Sequence, residues 1–387
     1  MSELRAPAVS SGRTRPAFTG LLEGLPATTP FVGPEALERQ RGGAFALRLG
    51  ANESAFGVSP RVQAVLRETA ARANWYCDPE HFDLRSALAA YLRVEPGNLV
   101  VGEGIDGLLG LIVRAFVEPG EAVVTSLGAY PTFNYQVNGY GGRLVFVPYR
   151  PACDNDLEAL LAAARRERAK LLYLANPDNP SGSFHGREAL AALLAGLPEN
   201  CLLLLDEAYA EFAPAADLPP LEPEDPRVIR LRTFSKAHGL AGMRVGYGVA
   251  AREIVAAFDR IRLHFGVGRL AQRAASAALE DQAFAAEVVR QVAGGRGDYH
   301  RLGRRLGLAT LPSLTNFVAF DLGSAARSIR MVELLGARGV FVRRPGQPPL
   351  DRFVRVTVGT EAERLAFEPL FAEALEALAG ERLEPGP

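Results

Sequence analysis

The chain has 387 residues, too many for one small core, so one large or two smaller domains are expected. Hydrophobic content of 48% and charged content of 22% are those of an ordinary globular enzyme, and a net charge of −1 gives no reason to expect nucleic acid or an anionic membrane as partner. No apolar signal core opens the sequence and no run of about 18 apolar residues occurs, so the cytoplasm is the expected compartment.

Residues 1–30, rich in Ser, Pro, Gly and Arg, read as a flexible arm. Pro34-Glu35 starts a short helix, and 47–52 reads as a strand entering the loop Ala51-Asn52-Glu53-Ser54. Ser59-Pro60 is a strong helix start, a capping serine ahead of a first-turn proline, with Val62, Val65 and Leu66 at core spacing. After Trp75-Tyr76-Cys77-Asp78-Pro79 come a helix over 83–92 and a strand over 99–102. Gly102-Glu103-Gly104-Ile105-Asp106-Gly107 then opens a helix to Phe116. Free backbone N–H groups at such a start suit a phosphate, although a tight loop with no ligand is equally compatible. The run is also a literal G-x-G-x-x-G, but a dinucleotide site wants an acid at the end of the next strand, where Thr125-Ser126 stand.

Strands follow at 122–125, 143–148, 171–174, 202–205, 228–231 and 245–249, most of them separated by helices such as 157–168 and 187–194. This alternation specifies an α/β fold with a mainly parallel sheet covered on both faces. A long helical region over 252–306 is expected to break near 266–268 and 294–297. Beyond it, strands 316–321, 340–343 and 353–358, helix 325–337 and a closing helix from Glu361 make a smaller α+β unit. Cys77, Cys153 and Cys201 are widely spaced with no C-x-x-C, which indicates neither disulfides nor zinc; the five histidines show no metal spacing.

The stretch from Arg230 to Tyr247 carries the densest signal. An apolar run ends in Thr233, Ser235 and Lys236, and Gly239, Gly242, Arg244 and Gly246 follow. A short buried strand ending in a small, polar loop is where open α/β sheets bind ligands. Asp206 likewise closes the apolar run 202–205; alone, it is either a helix N-cap or a partner for a cation.

Taken together, Asn176-Pro177-Asp178-Asn179-Pro180-Ser181-Gly182, Asp206-Glu207-Ala208-Tyr209 and the Ser235-Lys236 stretch resemble the active-site frame of fold-type I aminotransferases, which use pyridoxal 5'-phosphate. The resemblance covers about residues 45–365. Within the fold type it points to the histidinol-phosphate aminotransferase branch through Arg232-Thr233-Phe234-Ser235-Lys236, Gly239-Leu240-Ala241-Gly242, Glu211-Phe212, 313–317 and 355–359. It implies a large domain (46–270) with a mainly parallel seven-stranded sheet between helices, a smaller α+β C-terminal domain (271–387), and an arm and short helix (1–45) packing on the small domain or a partner subunit.

The resemblance also implies roles. Lys236 falls where the family carries its Schiff-base lysine, whose amine moves a proton and so needs a pKa well below about 10.4. Asp206 would hold the pyridine nitrogen protonated, making the ring an electron sink. Tyr209 and Asn179 would bond the phenolic oxygen, and Tyr130 would stack on the ring. Ser235, Arg244 and the backbone of Gly104, Ile105 and Asp106 would bind the phosphate. Tyr76 would reach the other subunit's cofactor, which implies a homodimer with shared sites. Arg355, backed by Arg343, would grip the substrate's anionic group, with Asn52 and Phe31 also on the substrate side. No metal is called for.

Three departures stand out. Phe31 occupies the place of a tyrosine that helps bind substrate phosphate, and losing that hydroxyl removes a contact worth roughly 1–3 kcal/mol. Ile105-Asp106-Gly107 stands where the branch has a small residue and two acids, and Asn52-Glu53-Ser54-Ala55 strays from Asn-Glu-x-Pro. The expected activity is ping-pong exchange of an amino group between an amino acid or amine, histidinol phosphate first, and a 2-oxo acid such as 2-oxoglutarate. Alternatives are an aromatic or other amino-acid aminotransferase of the branch, or a phospho-amino-acid decarboxylase. A non-catalytic regulator of this fold would carry a DNA-binding domain, for which residues 1–45 are too short and polar.

Overall fold

A computed structural model describes residues 16–26 and 32–381. Its strands in chain order are β1 Leu47–Arg48, β2 Leu99–Gly102, β3 Ala122–Ser126, β4 Arg143–Val147, β5 Leu171–Ala175, β6 Leu202–Asp206, β7 Val228–Thr233, β8 Gly246–Val249, β9 Phe317–Asp321, β10 Val340–Phe341 and β11 Phe353–Thr357. Strands β2 to β8 form one seven-stranded sheet in the order β2-β8-β7-β6-β5-β3-β4. β8 runs antiparallel to β2 and β7, and the other pairs are parallel. The mainly parallel sheet read from the sequence is thus present.

Its central strands are buried along their whole length, with no alternation, because helices cover both faces. On one face Leu108 and Ile112 of the helix Gly104–Phe116 pack with Phe133, Ile254 and Phe258. On the other, Leu160, Leu190 and Leu193 pack on Val124, Leu172 and Leu203. The edge strand β4 is the most exposed of them. Burial of this kind stabilises at roughly 25 cal/mol per Å² of apolar surface, and here it holds the carboxyl ends of β3, β5, β6 and β7 in one row.

The second unit pairs β9 with β11 antiparallel, Arg355 opposite Ala319 and Thr357 opposite Phe317. Phe317, Phe320, Phe367, Phe371 and Tyr299 form its core. The closing helix Glu361–Ala379 begins at a reciprocal cap between Thr360 and Glu363. β1 pairs with β10, so Leu47 and Leu49 join this core although they precede the large sheet in sequence.

Several elements differ from the sequence reading. The helix Gln282–Arg305 runs unbroken through Gly294, Gly295 and Gly297. A side chain at Gly295 would collide with Val358, so that glycine allows close helix packing and does not end the helix. The break lies at Asp281, whose carboxylate caps the amide of Phe284. The preceding helix Arg269–Glu280, expected to head the C-terminal unit, packs with Val62, Leu84 and Leu88 beside the large sheet. A helix at Pro131–Gly139, started by its own proline, escaped the sequence reading. Within the stretch read as a flexible arm, Gly20–Glu23 forms a helical turn capped by Thr19.

Candidate active site

A cavity of about 770 Å³ lies beyond the carboxyl ends of the strands, walled on its far side by the second unit. Asp206 ends β6 at its floor, 4% exposed. Tyr173, on neighbouring β5, donates its hydroxyl to Asp206 Oδ2 at 2.8 Å, and the Ala208 amide donates to Oδ1 at 3.0 Å. Burial pushes the Asp206 carboxyl up to about 6, against the pull of these two donors. A cation beside it would reverse that shift. Tyr173 is itself fixed by a parallel stack on Phe133, centroids 4.2 Å apart.

Lys236 follows β7 by three residues. Its Nζ donates to the Asn52 carbonyl at 3.0 Å and lies 5.6 Å from the centre of the Tyr209 ring. Burial, helped by the nearby Arg355 charge, draws the amine down to about 8, although Asp106 and Glu53 work against it. Tyr209 is buried edge-on to Phe317, and its oxygen accepts from Asn52 Nδ2 at 2.8 Å.

At the opposite end, the helix Gly104–Phe116 aims its first-turn amides at the cavity. Gly104 has φ +70°, and a Cβ there would lie 2.5 Å from the Arg244 guanidinium, so the close approach requires glycine. Arg244 Nη2 sits 3.1 Å from Asp106 Oδ2, while Asp106 Oδ1 accepts from the Tyr130 hydroxyl at 2.8 Å. Ser235 and Thr233 join the same end, their hydroxyls 2.9 Å apart.

The far wall carries the arginines. Arg355 Nη1 donates to Asn179 Oδ1 at 2.5 Å and Nη2 to the Gly50 carbonyl at 3.2 Å, while its buried Nε has no partner among the described residues. Burial draws its guanidinium down from the ordinary value. Arg343 meets Arg355 across a backbone bridge and donates to the Val32 carbonyl at 2.6 Å. Burial and Arg355 draw Arg343 down to about 10. Two partly dehydrated guanidinium groups on one wall favour an anionic guest.

The fold therefore brings together Lys236, Asp206, Tyr209, Asn179, Tyr130, Ser235, Arg244, Gly104, Ile105, Asp106, Asn52, Arg343 and Arg355. Tyr76 stands apart: it is 80% exposed, outside the cavity, its ring 5.0 Å from that of Phe265. Phe31 lies outside the described residues. No cluster of His, Cys, Asp or Glu that could hold a metal occurs among the described residues, and the three cysteines are free and buried.

Sequence reasoning missed Tyr173, Thr357 and the ionic cluster of Glu207 with Arg230 and Arg232. Glu207 takes Arg230 Nε at 3.0 Å and Arg232 Nε at 3.1 Å. Burial alone would raise this carboxyl; Arg232 and Arg230 outweigh it and hold it low. The available signal was a tyrosine in an otherwise aliphatic strand, and charges inside apolar runs.

These groups fit pyridoxal 5'-phosphate: an amine poised near neutrality, a buried carboxyl awaiting a cation, amide and arginine donors at a helix start, and a tyrosine on each flank. Fold and site define a class. The family model for aminotransferase class I and II matches residues 46–366, and the chain belongs to that family. It is 50% identical to the crystallised histidinol-phosphate aminotransferase of Sinorhizobium meliloti, a complex with pyridoxal-5'-phosphate, at TM-score 0.91 over 95% of this chain and 100% of that one. Histidinol-phosphate aminotransferase 2 of Carboxydothermus hydrogenoformans is 35% identical over 92% of this chain and 99% of its own. The aspartate aminotransferase of Thermus thermophilus with maleate is 25% identical, at TM-score 0.77 over 88% of this chain and 94% of that one.

Proposed function

We propose that this chain is a pyridoxal-phosphate-dependent aminotransferase that exchanges an amino group between histidinol phosphate and a 2-oxo acid such as 2-oxoglutarate. The observation that carries the reading is the opposition of a proton-poised Lys236 and two partly dehydrated arginines, Arg343 and Arg355, across one cavity floored by Asp206. The 50% identity to the Sinorhizobium meliloti enzyme supports the substrate. When bound, the cofactor supplies an electron sink and carries the amino group between the two half-reactions.

The chain's own residues do the rest. Asp206 holds a proton on the ring nitrogen, and Tyr173 keeps its carboxylate aimed there. Tyr209 and Asn179 bond the ring oxygen, and Tyr130 covers the ring face. Ser235, Arg244 and the amides of Gly104, Ile105 and Asp106 hold the phosphate. Lys236 Nζ would take the proton from the amine-bearing carbon of the donor and deliver it to the former aldehyde carbon of the cofactor, a task suited to a group with pKa near 8. Arg355 and Arg343 grip the anionic end of donor and acceptor.

The reading also includes a homodimer. Trp75, Tyr76, Phe82, Leu263 and Phe265 are 53–80% exposed on one chain, a set of aromatic and aliphatic side chains suited to cover by a second copy, with Tyr76 reaching the partner's cofactor. We place the enzyme in the cytoplasm; no helix of the described residues is long and apolar enough to cross a membrane. For the domains we propose an arm and short helix before residue 46, a large domain, and a small one beginning at Asp281, with β1 docked onto the small one.

An absorbance spectrum of the cofactor-loaded protein, with donors added singly, tests the activity. Histidinol phosphate should convert the visible band to the near-ultraviolet form of the aminated cofactor, and 2-oxoglutarate should restore it. Conversion by aromatic amino acids alone would move the assignment to the aromatic alternative. Release of carbon dioxide from a phospho-amino acid would move it to a decarboxylase.

A further inference from the structure

We propose that Asn52 is a positioning residue for Tyr209: its side-chain amide directs the tyrosine's hydrogen toward the ring oxygen of the cofactor. The inference rests on the pyridoxal-phosphate reading above and replaces a direct substrate contact for Asn52.

The argument is one of donors and acceptors. A side-chain amide can be turned either way, and only its partners show which end is which. Here they favour one assignment. Thr357 Oγ1 accepts from the Asn52 backbone amide at 3.1 Å, so its own hydrogen is free to donate, and it meets Asn52 Oδ1 at 3.2 Å. In the assignment that gives the Thr357 hydrogen an acceptor, that oxygen is the accepting end and Nδ2 donates to the Tyr209 oxygen at 2.8 Å. A hydroxyl whose oxygen accepts from Asn52 must send its single hydrogen elsewhere. Tyr209 is 3% exposed, and its hydroxyl faces the cavity that also contains Lys236 and Asp206.

The arrangement is held from three sides. Asn52 is 2% exposed, with φ +54°, a left-handed conformation that asparagine tolerates better than most residues. Its carbonyl accepts from Lys236 Nζ at 3.0 Å and Asn316 Nδ2 at 3.1 Å. Tyr299, from the second unit, donates to the Thr357 carbonyl at 3.1 Å. One residue thus takes the lysine through its backbone and the tyrosine through its side chain, and both are anchored to β11, the strand that carries Arg355.

Donation from Tyr209 draws charge off the cofactor's ring oxygen and lowers the proton affinity of the Lys236 nitrogen held beside it. Asn52 strengthens that donation by polarising the hydroxyl. The test is the pH midpoint of the visible band in the cofactor-loaded protein, followed by absorbance with no substrate present. Asn52→Gly suits it because glycine accepts the left-handed backbone and keeps the carbonyl for Lys236 and Asn316, so only the amide is lost. The midpoint should rise by about half a pH unit to one unit, in the direction of Tyr209→Phe and by less. The double variant should go no further than Tyr209→Phe alone. Thr357→Val should shift the midpoint the same way and Thr357→Ser should not, which keeps the test intact where Asn52→Gly fails to fold. A loaded Asn52→Gly with the parent midpoint, or a double variant that sums the two shifts, overturns the inference while leaving the cofactor reading standing. A parent protein with no visible band overturns both.

Discussion

Asp206 and Glu207 are neighbours in the chain, both carboxylates, both buried, and they titrate in opposite directions. Asp206 faces the cavity with a tyrosine hydroxyl and one backbone amide for company, and burial pushes it up to about 6. Glu207 faces away, with Arg230 at its back donating further to the Pro219 and Pro220 carbonyls, and Arg232 alongside; it is held low. Successive side chains at a strand end point to opposite sides, so one residue serves chemistry and the next serves the wall. Burial alone does not mark a functional carboxylate; of these two neighbours, the one without a cation is the one that faces the cavity.

The strongest way to break this comparison starts at the group facing Asp206. Lys236→Ala should abolish turnover in a folded protein that still associates with the cofactor, and any residual rate near the parent's would remove the assignment. The chain has two lysines, Lys170 and Lys236. Borohydride reduction of the loaded enzyme should therefore fix the cofactor on one peptide, that of Lys236.

Asp206→Asn should come next, cutting the rate by at least about a hundredfold, some 2.7 kcal/mol in barrier, with little loss of thermal stability. Glu207→Gln should do the reverse. It leaves two buried guanidinium groups uncompensated, at about 3 kcal/mol of stability, while the folded fraction keeps most of its rate. If Asp206→Asn lowers the melting temperature more than Glu207→Gln does, the division of labour is wrong.

The pH dependence sharpens the contrast. In cofactor-free protein, folded Asp206 keeps its proton to about 6 whereas an unfolded chain loses it near 4. The folded state binds the extra proton in that window, so this group makes stability fall as pH rises from about 4 to 6. Cofactor should therefore raise the melting temperature more at pH 7 than at pH 5, and Asp206→Asn should flatten that difference. Glu207, held low, contributes stability above its unfolded value near 4.3 that is lost as pH falls through the lower folded value. The smallest effect belongs to Tyr173→Phe, which removes one donor to Asp206 and should weaken cofactor binding by about fivefold to tenfold, near 1 kcal/mol. An unchanged affinity would mean the backbone amide of Ala208 alone orients the carboxylate.

The sequence by itself determined the local and periodic features. Short aliphatic runs such as 202–205, bounded by polar residues, fit buried strands by their length, and strands alternating with helices make a mainly parallel sheet. Asp206 and Lys236, each placed just past such a run, therefore fall at the ligand-binding edge before any contact is known. Caps at Ser59 and Thr360 are local chemistry, and the Ser59 start could be read directly. Composition also bounded the partners. What it did not determine is which distant segments meet. The left-handed Asn52 touches Thr357 across 305 positions and Tyr209 across 157. Gly295 looked like a helix break until Val358 was placed against it. Nothing in the strand 171–174 tied Tyr173 to the site; the register of β5 against β6 brings its hydroxyl to Asp206. Hydrophobic periodicity reports which face a residue presents, and carries no information on what that face meets. The partners that set pKa values, fix amide orientation and separate Asp206 from Glu207 come from long-range packing, and only the tertiary structure decided them.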